Sequence, residues 1–207
     1  SSYAEDLVGL TEEEIDDFVD VFYDDGAIYG DGKMYSLPFL KSTEVLYYNK
    51  TFFEKYSAEL VEYGVEAGGV WRNPTWEQVE GIAEFYQTTI EYNALDTSLK
   101  SVAAGFAVDS LSNFFITLTK QWGGEYTGFD ANGKGEYLFN NTHSKEAINW
   151  FADNFRDGIF GTSQKFNIDY VSDAFKKMQC IMATGSSAGA SYYTASNFET
   201  GVAEYPQ

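Results

Sequence analysis

At 207 residues, with 44% hydrophobic and 22% charged side chains, the chain is one sizeable globular domain or two lean ones, and intrinsic disorder is excluded. Its 32 Asp and Glu against 13 Lys and Arg give a net charge of −19, which repels phosphate backbones and anionic lipid and rules out nucleic acid as a partner. One Cys and one His build neither an intramolecular disulfide nor a zinc site of the usual kind, and no apolar run approaches the ~20 residues of a bilayer span.

The predicted elements follow in chain order. Thr11 and Glu14 have capping-box spacing, and Ile15, Phe18, Val19 and Phe22 recur at helical intervals, so a helix runs from Thr11 until Asp24-Asp25-Gly26 ends it. Met34 to Phe39 is extended, and Pro38 makes it an edge, a crossover or a strand end. Val45 to Tyr48 is rich in β-formers and reads as a strand closing at Asn49. A second helix opens at Pro74-Thr75-Trp76-Glu77-Gln78, another capping box, with Trp76, Val79, Ala83, Tyr86 and Ile90 as its apolar face. Strand Val102 to Ala107 leads into a helix over 109–121, with Leu111, Phe114, Phe115 and Leu118 inward. Asp130 to Gly135 reads as a Gly-rich turn between short strands. Lys134 falls where a calcium loop of this spacing needs an oxygen ligand, which argues against calcium. A helix over 144–157 buries Ile148, Phe151 and Phe155 and stops at Gly158. Asp169 to Lys177 is a shorter helix. Strand Cys180 to Thr184, a small-residue turn, a short helix through about Ser196 and strand Phe198 to Ala203 complete the chain. Strands interleaved with helices specify an α/β fold with a partly parallel sheet, most simply as one compact unit.

Most candidate chemistry has a plain structural explanation. Cys180 lies in an apolar strand and reads as an inert core thiol. His143 stands at a helix start with no second ligand nearby. The acidic runs Glu12-Glu13-Glu14 and Asp16-Asp17 form a solvated helix face. No nucleophile elbow, phosphate loop or dinucleotide fingerprint occurs. One pattern carries binding chemistry: the strand ending at Thr184 enters Gly185-Ser186-Ser187-Ala188-Gly189-Ala190. Small residues there let backbone approach a ligand, and free N–H groups beside two hydroxyls suit an anion or a polyol. The same pattern also describes a serine that only caps the next helix.

Gly32-Lys33-Met34-Tyr35-Ser36-Leu37-Pro38-Phe39, Ser42-Thr43 and Leu46-Tyr47-Tyr48-Asn49-Lys50 together resemble the extracellular solute-binding proteins of ABC importers, the large group that includes maltodextrin and glycerol-3-phosphate binders. The similarity continues through Pro74-Thr75-Trp76-Glu77, Trp122-Gly123-Gly124, Phe139-Asn140, Ala174-Phe175, Met182 and Gly201-Val202 to Pro206. It implies a periplasmic-binding-protein-like α/β lobe of type II, with a mixed, mostly parallel sheet flanked by helices. Residues 1–39 would be the end of an N-terminal lobe and a crossover segment, and residues 40–207 the C-terminal lobe, so the chain would be a fragment of a two-lobed protein.

The resemblance also implies a function without catalysis or cofactor. The protein would capture a saccharide or glycerophosphate by cleft closure and deliver it to ABC permease subunits. It would act as a monomer on the extracellular face, lipid-anchored or periplasmic. Ser42 matches a ligand-contacting serine, the Gly185-Ser186-Ser187 turn is more similar to glycerol-3-phosphate binders than to maltodextrin binders, and Phe106 to Ser110 corresponds to a contact loop. Ser42, Thr43, Asp109, Ser110, Ser186 and Ser187 would supply hydrogen bonds, Gly185 the close approach and Phe106 a stacking wall. Met178 and Glu44 depart from the usual glycine and proline, and Asp109 would repel a phosphate. The competing classes are a carbohydrate hydrolase with two acids across its cleft and a surface adhesion module with a flat apolar face.

Overall fold

The computed structural model describes residues 9–27 and 33–207; Gly32, which opens the signature, lies outside them. The chain divides into two compact units, Ser1–Thr43 and Glu44–Gln207, a break four residues after the expected one.

In the first unit the expected single helix is two short ones, α1 (Glu12–Asp16) and α2 (Asp20–Asp24). The capping box forms: the Thr11 hydroxyl accepts from the Glu14 N–H, and the Glu14 carboxylate accepts from the Thr11 N–H at 2.8 Å. The break at 17–19 has an electrostatic cause. Glu12 and Asp16, Glu13 and Asp17, and Asp16 and Asp20 are like charges at i,i+4, and no basic residue lies in the last turn of α1 to meet its dipole. Val19 takes an extended conformation. Met34 to Phe39 forms no strand.

The second unit is the α/β body. β1 (Glu44–Asn49) runs into α3 (Lys50–Lys55), where the Asn49 side chain caps by accepting from the Phe52 N–H at 2.9 Å. α4 (Ser57–Leu60) and the two-residue strands β2 (Val65–Glu66) and β3 (Val70–Trp71) follow. α5 (Trp76–Tyr86) starts at its predicted capping box, formed by Thr75 and Gln78. It ends before Ile90, which opens α6 (Ile90–Ala94) and is 73% exposed rather than inward. After α7 (Thr97–Lys100) come β4 (Phe106–Val108), α8 (Leu111–Gln121), the hairpin β5 (Thr127–Phe129) and β6 (Gly135–Tyr137), and α9 (Thr142–Arg156). β7 (Phe160–Thr162), unanticipated in the sequence, leads through α10 (Ser163–Phe166) and α11 (Val171–Lys176) to β8 (Met182–Ser186), a 3₁₀ helix (Ser187–Tyr193) and β9 (Thr200–Ala203).

The main sheet has the order β7-β4-β8-β1-β9. β4 is parallel to β7 and to β8, and β1 is antiparallel to β8 and to β9. Four of the five strands therefore run one way and β1 alone reverses, which gives the mixed, mostly parallel sheet. A large core layer on one face centres on Trp76, whose ring meets Phe106, Phe114, Trp150 and Tyr205 at 5.5–5.8 Å and whose indole N–H donates to Gln121 at 2.8 Å. Tyr47, Phe175, Cys180 and Tyr193 belong to a smaller layer. Burial pushes the Cys180 thiol far above the usual range, so it is uncharged and unreactive. Leu111, Ile148 and Phe155, expected inside, are partly exposed at the flanks of α8 and α9.

Glu91 ties α6 to the segment after α3: its carboxylate accepts from Lys55 and from the Tyr56 hydroxyl. Burial acts to raise its pKa, but these hydrogen bonds prevail and hold it below the ordinary range. A depressed pKa contributes stability above the unfolded-state value near 4.5, and that contribution is lost as pH falls through the folded-state value. Glu91→Gln should therefore lower the melting temperature by about 2–4 °C at pH 7. The difference from the parent should vanish at pH 3; a gap that persists there would assign the loss to packing instead.

Candidate functional site

Because β7, β4, β8 and β9 share a direction, their carboxyl ends lie along one edge of the sheet, and the reversed β1 begins on that edge. Open α/β sheets present ligands with the carboxyl ends of their parallel strands. β4 delivers Asp109 and Ser110 there and β8 delivers Ser186 and Ser187, while Glu44 opens β1 directly opposite Ser186. β7 leads to a depression of about 500 Å³ lined by Ser163, Gln164, Asn167, Ile168 and Asp169.

Each of these side chains is held by local structure. Ser110 caps α8 by accepting from the Asn113 N–H at 3.4 Å. The Asn113 amide donates to the Glu44 carboxylate at 3.0 Å and ties α8 to β1. Asp109 accepts from the Val171 N–H at 3.0 Å, so it caps α11 from across the chain, where Tyr170 provides no side-chain cap. Ser186 caps the 3₁₀ helix by accepting from the Ala188 N–H at 3.2 Å, so the plainer reading of the small-residue turn holds at this residue. The Ser187 side chain stands exposed one residue further on.

Gly185 is required by what lies over it. A Cβ there would come within 2.8 Å of the Tyr193 hydroxyl oxygen and about 3 Å of its ring. Tyr193 stacks on Tyr47 with centroids 4.0 Å apart and planes within 6°, and the Tyr47 hydroxyl donates to the Ser186 carbonyl at 2.8 Å. The Tyr193 hydroxyl is buried without a hydrogen-bond partner among the described residues. Burial, then the charge of Asp109 and lesser effects of Cys180, Tyr47 and Glu44, push it far above the ordinary phenol range. Tyr47 is raised by burial and then by Glu44. The ionisable groups that act on these two phenols are acidic or neutral, so this corner carries a negative field.

The expected site residues divide accordingly. Asp109, Ser110, Gly185, Ser186 and Ser187 share the strand-end edge. Ser42 and Thr43 are exposed residues of the first unit, immediately before β1 in the chain. Phe106 is no stacking wall: it is wholly buried, with its ring against Trp76 and, at 4.9 Å, Phe160. Strand alternation explains the correction, since Phe106 and Val108 share the core face while Asp109 begins the exposed loop. Glu44, Tyr47, Asn113 and Tyr193 were missed. Only Tyr47 gave a signal, as the odd residue of an alternating strand; the others depend on which elements are neighbours.

Among the described residues, the carboxylates with displaced titration, Glu14, Glu91, Asp96, Asp130 and Glu204, are all lowered. Among the described residues no group of His, Cys, Asp and Glu is arranged to hold a metal.

The profile of a family described as bacterial extracellular solute-binding proteins matches residues 2–207. The chain belongs to this family. Among curated proteins, none matches it by sequence. The solved structures similar to this solute-binding chain include the maltose-bound MalE3 of T. maritima, at 15% identity and TM-score 0.68, covering 100% of this chain and 47% of that one. UgpB of Mycobacterium tuberculosis in complex with glycerophosphocholine gives 19% and 0.62, covering 98% and 44%. An ABC substrate-binding protein of Listeria monocytogenes in complex with cycloalternan gives 22% and 0.65, covering 94% and 46%. The chain thus spans about half the length of the structures it matches, and the likeness shows a periplasmic-binding-protein-like fold.

Gly185→Ala should destabilise the chain by about 1–3 kcal/mol through overpacking against Tyr193. Tyr193→Phe should be neutral or stabilising, because it removes a buried hydroxyl that has no partner. Combining the two should recover part of the Gly185→Ala loss, measured by urea unfolding as a double-mutant cycle. Strict additivity would show that the close approach is not the reason for the glycine.

Proposed function

We propose that residues 40–207 are the C-terminal lobe, and residues 1–39 the end of the N-terminal lobe with a crossover segment, of the solute-binding component of an ABC importer. It captures a polar solute by closing two lobes over it and presents the closed form to permease subunits on the extracellular face. The observation that carries this reading is the strand-end edge, which the hydroxyls of Ser110, Ser186 and Ser187 and the carboxylates of Asp109 and Glu44 share. A half-site of this kind suits a ligand held between two lobes, because contact with both makes the closed form the tighter binder and shifts the population toward it.

The solute is a neutral saccharide. Hydroxyl groups pair well with serine hydroxyls and carboxylates, and a negative corner opposes a phosphate. The serine pair favours a glycerophosphate as the second reading, through its similarity to glycerol-3-phosphate binders.

Thermal unfolding of the intact two-lobed protein with a panel of saccharides and glycerophosphates tests this. At a hundredfold excess over Kd the true solute should add about 2.7 kcal/mol of stability. Ser187→Trp should abolish that shift while leaving unliganded stability within about 0.5 kcal/mol, as at an exposed position. Absence of a shift with every member, together with glycoside turnover, would favour the hydrolase.

A further inference from the structure

The β5–β6 hairpin carries features that the strand-end edge does not use. Its register pairs Thr127 with Tyr137 and Phe129 with Gly135, so these four residues share one face. On that face Phe129 and Tyr137 are 78% and 79% exposed. The base of the hairpin is anchored. Tyr126 and Phe139 stack at 5.3 Å, and both meet Phe115 of α8, at 5.9 and 6.1 Å. The Asn141 amide donates to the carbonyls of Glu125 and Leu138 at 3.0 and 2.8 Å. The tip is closed by the Asp130 carboxylate, which accepts from the N–H groups of Asn132 and Lys134 at 2.8 and 2.9 Å. A firmly held hairpin therefore presents two largely exposed rings, of which Tyr137 also meets Phe139 at 6.0 Å, and their exposed apolar area contributes little to folding.

The shape of that face restricts what it can hold. The two rings lie on a ladder diagonal, about 7–8 Å apart at their bases, roughly twice the ~3.5–4.0 Å of a van der Waals contact, so the space between them takes one flat ring. Gly135 keeps the floor open, since a Cβ there would meet nothing within 4 Å. The hollow has a volume of about 380 Å³ and is lined only by Thr127, Gly128, Phe129, Gly135, Glu136 and Tyr137, within the size range of small-ligand sites.

Charge narrows the occupant further. The net charge of −19 opposes a second copy, an acidic partner or a phosphate, and on the hairpin Asp130 and Glu136 outnumber Lys134. A neutral sugar ring meets no such barrier. The faintly positive C–H face of a pyranose stacks on the electron-rich face of an aromatic ring, and its hydroxyls have Thr127, on the same face, beside them. We propose that this hairpin is a surface site for neutral glycan chains, holding a pyranose between Phe129 and Tyr137 and built from none of the residues of the strand-end edge.

Electrophoresis of the chain through native gels containing soluble starch, hydroxyethyl cellulose or galactomannan tests the site. At least one polymer should retard the parent and the Ser187→Trp variant alike. Phe129→Ala/Tyr137→Ala should weaken that binding at least about tenfold, equivalent to ~1.4 kcal/mol, with the melting temperature unchanged. Phe129→Leu/Tyr137→Leu, which keeps apolar area but removes the flat faces, should lose it too. Retardation by none of the polymers, or equal retardation of parent and alanine variant, overturns the site. So does a melting temperature lowered by the alanine pair without loss of retardation, or a dimer in the parent that the alanine pair dissolves. Loss of retardation in Ser187→Trp alone would assign the glycan to the strand-end edge, leaving the proposed function intact and the hairpin site refuted.

Discussion

The α/β body depends on the reversal of one strand. β1 lies between β8 and β9 and is antiparallel to both, so its backbone groups are satisfied on both sides and its side chains alternate between two core layers. Leu46 and Tyr48 enter the larger layer and Tyr47 the smaller. The Tyr48 hydroxyl accepts from the Trp71 N–H at 3.2 Å, which ties the β2–β3 hairpin to the sheet. Slipping β1 by one residue would exchange these faces and strand Tyr47 and Tyr48 on the wrong sides. The same reversal puts Glu44 at the carboxyl-end edge of the other strands, opposite Ser186 of β8.

Aromatic residues make up eight of the twelve largest fully buried side chains among the described residues. Trp76 reaches the core because a capping box fixes where α5 begins, and the rings of Phe114 on α8, Trp150 on α9, Phe106 on β4 and Tyr205 of the C-terminal segment close around it edge to face. Such contacts are worth about 0.5–1.5 kcal/mol each beyond the area they bury. Polar handles are mostly satisfied: the Trp76 indole meets Gln121, and the Trp150 indole donates to Glu80 at 2.9 Å. The Tyr193 hydroxyl over Gly185 is one of four buried side-chain oxygens without a partner among the described residues, and the rings of Phe129 and Tyr137 are largely exposed.

The acidic surface is consistent with the chemistry of the strand-end edge. Carboxylates there, Asp109 and Glu44, already accept hydrogen bonds from Val171 and Asn113, which fixes their orientation before any solute arrives. Pre-orientation of this kind lowers the ordering cost of binding. In the proposed reading, this negative corner favours polyols over anions.

Local physics made much of the fold legible. Both capping boxes, the strand through Tyr48, the Gly158 helix stop and the turn at Asp130 follow from side-chain-to-backbone bonding and from glycine at positive φ, which act within a few residues. The family signature and the strand–turn character of Gly185-Ser186-Ser187 were equally readable. Other features needed the assembled sheet. β7 is too short and too glycine-rich to announce itself, and the acidic helix broke because its charges repel. Phe106 turned inward because strand alternation, rather than the loop after it, decides its face. Whether Glu44, Asn113, Asp109 and Tyr193 converge depends on which strands are neighbours and in which direction they run. That is set by burial between elements far apart in the chain, so only the tertiary structure decided it.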